Sequence, residues 1–191
     1  MATSDRRARE QAARERLIVD TARSIAEAEG WDAVTTRRLS AEIEYSQPVL
    51  YKHFAGKDRI AEAVAIEGFG ELAAALQASR ADAASPDDSL SRMAQTYLDF
   101  AAANPVVYEL MFVRRSTLRF ATDDVPVPLA VAFAELRGGI SGVVSDRDVD
   151  TLTEVFWAAL HGLVVLARSD RLRPDYAADR VRLLVEQFSR H

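Results

Sequence analysis

The chain has 191 residues, with 24 Lys+Arg against 29 Asp+Glu, no cysteine and 49% hydrophobic residues. The absence of cysteine excludes disulfide frameworks, thiolate metal sites and cysteine nucleophiles, and is typical of the reducing cytoplasm. The first sixteen residues are charged and lack the apolar segment of a signal peptide, and no run approaches the roughly 18 apolar residues of a membrane span. We therefore predict a cytoplasmic protein without a membrane partner.

The charge is unevenly distributed along the chain. Residues 1–60 carry 11 Lys+Arg and 10 Asp+Glu, whereas residues 61–191 carry 13 and 19. The only two lysines, Lys52 and Lys57, lie in the first part. The net charge of −5 therefore describes mainly the C-terminal part and does not exclude a nucleic-acid partner for the N-terminal part.

Helix-forming residues and the spacing of apolar residues predict an all-α chain of about nine helices. The first helix is predicted from Ser4, its N-cap, to Glu29, and Gly30 ends it in the left-handed conformation. Its apolar stripe comprises Leu17, Ile18, Thr21, Ala22, Ile25 and Ala28. Thr35 or Thr36 then caps a short helix, and Ser46 caps a second one after a turn at residues 44 and 45.

Six further helices are predicted from proline, glycine and capping signals. The first of them starts at Lys57 or Asp58 and fades into a loop at residues 84–88, and another loop is expected at residues 117–128. The helix from about Asp148 to Arg168 is apolar on all sides, so it must be covered on two sides. This organisation predicts a helix-turn-helix domain at residues 1–56, joined by a linker helix to a larger ligand-binding and dimerisation domain at residues 57–191.

The two short helices have the physical properties of a helix-turn-helix motif. Leu39, Ile43, Val49 and Leu50 supply a small core, so the outer face of the second helix is free for solvent or DNA. In a major groove, Gln47 pairs with adenine, Arg37 pairs with guanine, and Pro48 contacts a thymine methyl group. The predicted DNA-binding residues are Thr36, Arg37, Ser46, Gln47, Pro48, Tyr51, Lys52 and Lys57, of which Thr36, Tyr51, Lys52 and Lys57 contact phosphates.

The residues from about Arg16 to Val64 resemble the TetR family of bacterial transcriptional regulators. The resemblance rests on a first helix ending in Glu-Gly-Trp, followed by Thr-Thr-Arg-Arg-Leu, Ser-Gln-Pro-Val-Leu-Tyr-Lys-His-Phe and Gly-Lys-Asp. It implies base-reading roles for Arg37, Gln47 and Pro48, and phosphate contacts for Thr36, Tyr51 and Lys57. The chain departs from the family at Glu44, where glycine is usual, and at Lys52, which replaces an aromatic residue.

Several residues in this region have an alternative interpretation. Tyr51 and His53 either contact DNA or pack against the first helix. The arginines at positions 6, 7 and 9 form either a minor-groove arm or the solvated first turns of the first helix. Gly68 and Gly70 are either flexible points of the linker helix or sites of close helix packing.

The C-terminal region contains Trp157-Ala-Ala-Leu-His161-Gly162 downstream of residues 104–112, and this pattern resembles an effector domain of many TetR-type regulators. Trp157 and His161 share one helix face because they are four residues apart. We predict an apolar cavity for a small lipophilic or aromatic effector, with Phe133 as a further candidate. Its lining residues are Tyr97, Phe100, Tyr108, Met111, Phe112, Trp157 and His161, each of which could also be ordinary core.

A short reading helix covers only a few base pairs, so selective binding requires two copies about 34–36 Å apart on a palindromic operator. We therefore predict a homodimer, with the last helix and the Trp157 helix forming the dimerisation surface. An effector lowers the affinity for DNA if it binds better to a state in which the distance between the two reading helices does not match the operator. Repression relieved by the effector is the mode that the family resemblance implies.

Enzyme functions are not indicated. The sequence lacks a phosphate-binding glycine loop, a pair of metal-spaced histidines and a thiol, and Gly139-Ile140-Ser141-Gly142 is out of register for a nucleophile elbow. We predict no catalytic residue, no metal and no cofactor. The alternative function is a helical dimer that binds a ligand or a protein and does not recognise an operator.

Overall fold

The structure, a computed structural model, describes residues 2–114, 118, 125–144 and 148–189, with side chains from residue 5 onward. Within these ranges the chain forms nine α-helices and no strand, which confirms the all-α prediction. The helices are α1 (Ala2–Glu29), α2 (Thr36–Glu42), α3 (Gln47–His53), α4 (Lys57–Ala81), α5 (Pro86–Ala103), α6 (Pro105–Phe112), α7 (Val127–Ser141), α8 (Val149–Arg168) and α9 (Ala177–Ser189).

Most helix boundaries agree with the prediction to within a few residues. α5 starts at Pro86, inside the predicted loop, because proline is well suited to the first turn of a helix. Asp148 caps α8, accepting hydrogen bonds from the backbone N–H groups of residues 150 and 151. The predicted loop at residues 117–128 falls largely outside the described residues, and α7 begins within its end.

The helices group into two compact units. The first unit comprises Met1–Gly68 and Asn104–Arg119, and the second comprises Phe69–Ala103 and Phe120–His191. α6 therefore belongs to the same unit as α1, α2 and α3, and α4 contributes its first half to one unit and its second half to the other.

The buried face of α1 is displaced from the predicted stripe. The buried residues are Ile18, Val19, Ala22, Ile25 and Ala26. Leu17 is 42% exposed, and Ala28 is exposed as well. The helical period was correct but the centre of the stripe was wrong, because spacing alone does not say which neighbouring helix covers a face.

Both ends of α1 differ from the prediction. Ser4 is not the N-cap because the helix already begins at Ala2. At the other end Gly30 has φ 85 and ψ 157, so it adopts the positive φ that was expected, but its ψ is outside the left-handed helical region. Trp31 follows in a 3-10 turn and is buried.

α2 and α3 form the predicted helix-turn-helix. Thr35 caps α2 by accepting a hydrogen bond from the Arg38 backbone N–H at 3.1 Å. Ser46 occupies the N-cap position of α3 but makes no capping hydrogen bond with its side chain. Leu39 and Leu50 are fully buried between the helices, which anchors the motif and leaves the opposite face of α3 exposed.

Glu44, in the turn between α2 and α3, has φ 56 and therefore adopts the left-handed conformation that favours glycine. The turn is closed by a hydrogen bond from the Tyr45 backbone N–H to the Ser40 carbonyl at 2.9 Å. A side chain with a Cβ atom in this conformation costs about 1 kcal/mol relative to glycine.

We expect Glu44→Gly to raise the free energy of unfolding by about 1 kcal/mol, because glycine removes this conformational cost. Urea denaturation of the two proteins measures the difference. Glu42→Gly is the matched control, since Glu42 is exposed and helical, and there glycine should destabilise the fold. A less stable Glu44→Gly protein would contradict the prediction.

Gly68 in α4 is a site of close helix packing. A Cβ atom at this position would lie 2.5 Å from Val107 Cγ1 and 2.8 Å from Met111 Sδ, both on α6. At Gly70 the corresponding nearest atom is Pro128 Cβ at 3.9 Å, which is an ordinary contact. The packing interpretation therefore holds for Gly68, where only a glycine lets α4 and α6 approach so closely.

α8 is strongly apolar, as the sequence predicts. By length and composition this helix could span a membrane, since an 18-residue window has a mean hydropathy of 1.4. Only 22% of the window is buried within the described structure, so α8 presents a large apolar surface.

Candidate functional site

The outer face of α3 and the start of α2 carry the predicted base-reading residues. Arg37, Gln47 and Pro48 are all exposed, and so are Tyr51 and Lys52 on α3. Tyr51 is 53% exposed, so a large part of its side chain lies on the surface. Their placement on the surface of the helix-turn-helix is suited to a major groove, which accepts a helix carrying side chains that pair with base edges.

Arg38 differs from its neighbour Arg37 because it forms a bidentate ion pair with a carboxylate. Its guanidinium donates to both carboxylate oxygens of Glu29, at 2.6 and 2.5 Å. Hydrogen bonding to Arg38 lowers the pKa of Glu29, so the carboxylate stays ionised at neutral pH. Arg37 makes no such pair with any described residue, which leaves its guanidinium available to a ligand.

The other predicted phosphate-contacting residues lie nearby, in different environments. Thr36 is half-buried at the first position of α2. Lys57 Nζ donates a hydrogen bond to the Trp31 carbonyl at 2.7 Å and lies 5.4 Å from the centre of the Trp31 ring. Burial lowers the pKa of Lys57. An ammonium group has three donors, so two remain after the bond to Trp31.

His53 packs against α1, and the arginines at the start of α1 are solvated. The His53 side chain is 9% exposed, and its Nδ1 lies 3.4 Å from Glu15 Oε1 on α1. Arg6, Arg7 and Arg9 are exposed on the first turns of α1, which is helical from Ala2. They belong to a solvated helix rather than to an extended arm.

The sequence analysis missed a polar connection between α1 and α6 within the first unit. Glu27 accepts hydrogen bonds from the backbone N–H groups of Val106 and Val107, at 3.3 and 3.1 Å. Arg23 Nη2 donates to Asn104 Oδ1 at 2.8 Å. Glu27 thus satisfies donors that the start of α6 would otherwise leave unpaired. The carboxylate lies about 80 positions from those donors, so no local pattern predicts the contact.

Four of the predicted effector residues lie in the second unit, on α5 and α8. Tyr97 and Phe100 are buried, whereas Trp157 and His161 are half-buried. Trp157 Nε1 donates a hydrogen bond to the Tyr97 hydroxyl at 3.1 Å. Burial lowers the pKa of His161, so its imidazole is neutral at pH 7. These residues combine aromatic surface with a few polar atoms.

The other three predicted effector residues lie on α6 in the first unit. Tyr108 and Met111 are buried, Phe112 is half-buried, and the Tyr108 and Phe112 rings are 4.8 Å apart. Met111 contributes to the close packing against Gly68. Phe133 is half-buried on α7 in the second unit. A single cavity formed by the whole set stays a prediction.

The described residues contain no group of three or more His, Cys, Asp or Glu side chains that could hold a metal ion.

Two family models match the chain. Residues 18–64 match the model described as "Bacterial regulatory proteins, tetR family". Residues 90–188 match the model described as "Tetracyclin repressor-like, C-terminal domain". The second match covers more than half of the chain by itself, and together the two matches include the helix-turn-helix and most of the second unit.

Individual relatives agree with the family models. The chain is 28% identical over 158 residues to the uncharacterized HTH-type transcriptional regulator YobS of Bacillus subtilis, covering 80% of this chain and 78% of YobS. A protein of unknown function from Rhodococcus sp. RHA1 has a similar structure, with a TM-score of 0.77, 24% identity and coverage of 92% and 93%. RolR in complex with resorcinol has a TM-score of 0.66 at 15% identity, covering 96% of this chain and 89% of RolR.

Proposed function

The chain belongs to the TetR family of bacterial regulatory proteins, and we propose that it is a repressor that binds a palindromic operator as a homodimer and is released by a small effector. Members of this family are transcriptional regulators and not enzymes, so the chain is a DNA-binding transcriptional regulator. The cytoplasmic location predicted from the sequence suits this function, because there the operator is accessible.

The observation that carries the proposal is the exposed set of base-reading side chains on the helix-turn-helix. Arg37 and Gln47 have the donors and acceptors that pair with guanine and adenine, and Pro48 adds an apolar contact for a thymine methyl group. Thr36, Tyr51, Lys52 and Lys57 serve as phosphate contacts that set the position of α3 in the groove. We place the DNA-binding domain at residues 1–56, as the sequence predicts.

Dimerisation is supported by an apolar stripe on α8, which we define as Val155, Ala158, Gly162 and Val165. These residues recur at intervals of three and four and therefore share one helix face. Val155 is 53% exposed and Val165 is 40% exposed. A Cβ atom at Gly162 would meet nothing within 4 Å, so the surface around it is open. A second copy of α8 would remove this apolar surface from water.

We expect Val155→Arg to convert the protein into a monomer, because it places an uncompensated charge inside the proposed interface. Light scattering after size-exclusion chromatography measures the molar mass. Val113→Arg is the control, since Val113 is equally exposed on the first unit and lies outside the stripe. A Val155→Arg dimer as stable as the original would refute the α8 interface.

The effector proposal rests on the aromatic groups of the second unit. Tyr97, Phe100 and Trp157 offer flat apolar surfaces, and the neutral His161 can exchange a hydrogen bond with an uncharged ligand. We therefore propose a small aromatic effector and retain Tyr108, Met111 and Phe112 as candidates. The complex of RolR with resorcinol shows that a protein of this fold holds a molecule of that class.

The proposed function is tested by selecting bound duplexes from a random DNA library with the full chain. Two inverted half-sites about one helical turn apart are expected, since each copy of α3 reads one of them. Small phenols added to the selected complex should then lower the fluorescence anisotropy of the labelled duplex. Failure to enrich any inverted repeat would refute operator recognition.

A further inference from the structure

The second unit carries a groove where α5 meets the end of α8 and the start of α9. Its volume is about 250 Å³. Apolar side chains form most of the wall, among them Leu98, Ala102, Leu163 and Ala167. No residue of the predicted effector set lines this groove, so it is a separate candidate for ligand binding.

The polar side chains of the groove are two arginines, one carboxylate and one amide. Arg168 makes no hydrogen bond or ion pair with any other described residue. Arg180 donates one hydrogen bond, from Nη1 to the Arg173 carbonyl at 2.8 Å, which leaves most of its five donors available. Asp99 accepts a hydrogen bond from the Gln95 amide at 2.8 Å. The groove therefore has an excess of one positive charge.

Two neighbouring arginines, Arg173 and Arg182, have other partners. Arg173 stacks on the Tyr176 ring, with 3.9 Å between its guanidinium carbon and the ring centre. Arg182 forms ion pairs with Glu186 at 2.7 Å and with Asp179 at 3.3 Å. Arg168 and Arg180 thus differ from Arg182, because their guanidinium groups lack a carboxylate partner among the described residues.

We propose that this groove binds a small amphiphilic carboxylate, whose hydrocarbon part lies against the apolar wall and whose carboxylate pairs with Arg168 and Arg180. Guanidinium groups match the planar shape of a carboxylate and form charge-assisted hydrogen bonds with it. The groove has a volume of about 250 Å³ and a mostly apolar wall, which suits a short hydrocarbon chain. Octanoate is therefore a suitable probe.

The groove and the apolar stripe lie on different faces of α8. The groove residues Leu163, Val164 and Ala167 lie on nearly the opposite side of α8 from Val155 and Val165, because each residue turns the helix by about 100°. A partner helix on the stripe therefore does not cover the wall that α8 contributes to the groove. The proposal also does not depend on DNA binding, since no part of the helix-turn-helix contributes to the groove.

The test is isothermal titration calorimetry of the full chain with sodium octanoate, with 1-octanol as the uncharged comparison. Octanoate should bind, and the double substitution Arg168→Gln with Arg180→Gln should weaken its binding at least tenfold. Arg182→Gln is the matched control and should bind like the original protein, because Arg182 is already paired and lies outside the groove. Octanol should bind at least tenfold more weakly than octanoate.

The apolar wall is tested separately with Ala102→Leu, which fills the groove and should reduce octanoate binding. Ala103→Leu adds the same volume at an exposed neighbouring position outside the groove and should leave binding unchanged. Equal affinity for octanoate in the original, the double arginine variant and Ala102→Leu would overturn the proposal. If octanoate bound the monomeric Val155→Arg variant but not the original protein, a second copy would occupy the groove. That result would also overturn the proposal.

A variant lacking the base-reading side chains separates this proposal from the proposed function. Arg37→Ala with Gln47→Ala should bind octanoate with the affinity of the original protein. Octanoate binding without operator recognition would support the groove and refute the repressor function. Operator recognition without octanoate binding would support the repressor function and refute the groove proposal.

Discussion

Replacement of both Arg37 and Gln47 with alanine is expected to abolish the preference of the protein for its selected operator. Each side chain can form a bidentate contact with a base, and each such contact contributes about 1–3 kcal/mol of discrimination. Loss of both should therefore weaken operator binding by between about 30-fold and four orders of magnitude. Fluorescence anisotropy with the selected duplex and with a scrambled duplex measures the loss.

The controls for this prediction separate base reading from phosphate contact and from fold stability. Arg38→Ala removes the adjacent arginine, whose guanidinium is bound to Glu29, and should leave the ratio of specific to scrambled binding unchanged. Lys52→Ala should weaken binding to both duplexes similarly and lower the salt dependence by about one counterion. If the double variant kept its full preference for the operator, α3 would not be the reading helix.

Replacement of Gly68 with alanine is the second change with a large expected effect. The added methyl group would meet the Val107 side chain at 2.5 Å, and Val107 is buried and stiff because it is β-branched. Met111 can move its sulfur atom, whereas Val107 has a single, stiff side-chain torsion. Overpacking of this kind costs about 1–3 kcal/mol, which lowers the melting temperature by several degrees in a chain of this size.

Gly70→Ala is the matched control, because it makes the same change two positions further along α4. Its nearest contact is an ordinary one at 3.9 Å, so alanine should stabilise the helix by up to about 1 kcal/mol. Thermal unfolding followed by circular dichroism compares the two variants. The double variant Gly68→Ala with Val107→Ala should recover part of the lost stability, since the methyl group then has space. Equal melting temperatures for Gly68→Ala and Gly70→Ala would contradict close packing.

Local patterns were sufficient for the helix-turn-helix and its caps. Thr35 caps α2 as expected, and Glu44 adopts the left-handed conformation that its place in the turn requires. These features depend on backbone rules that act over a few residues, so the sequence contains them directly. The same reasoning located exposed side chains on α3, since the apolar spacing of a short helix leaves one face free.

Local patterns were insufficient where the outcome depends on which helices meet. The predicted stripe of α1 was displaced because one of the helices that pack on it, α6, lies far away in the chain. The environments of Arg37 and Arg38 differ for the same reason. Nothing in the dipeptide says that Glu29, nine residues earlier, would bind one guanidinium and leave the other available.

The sequence by itself determined the all-helical class, the reading motif and the family, because helix propensity, caps and turn residues act locally. Only the tertiary structure decided that α6 joins α1 through Glu27 and Arg23, and that Gly68 provides space for α6. It also brought Arg168 and Arg180 to one apolar groove. The physical reason is that burial and pairing depend on contacts between residues distant in the chain, which spacing along a single helix does not record.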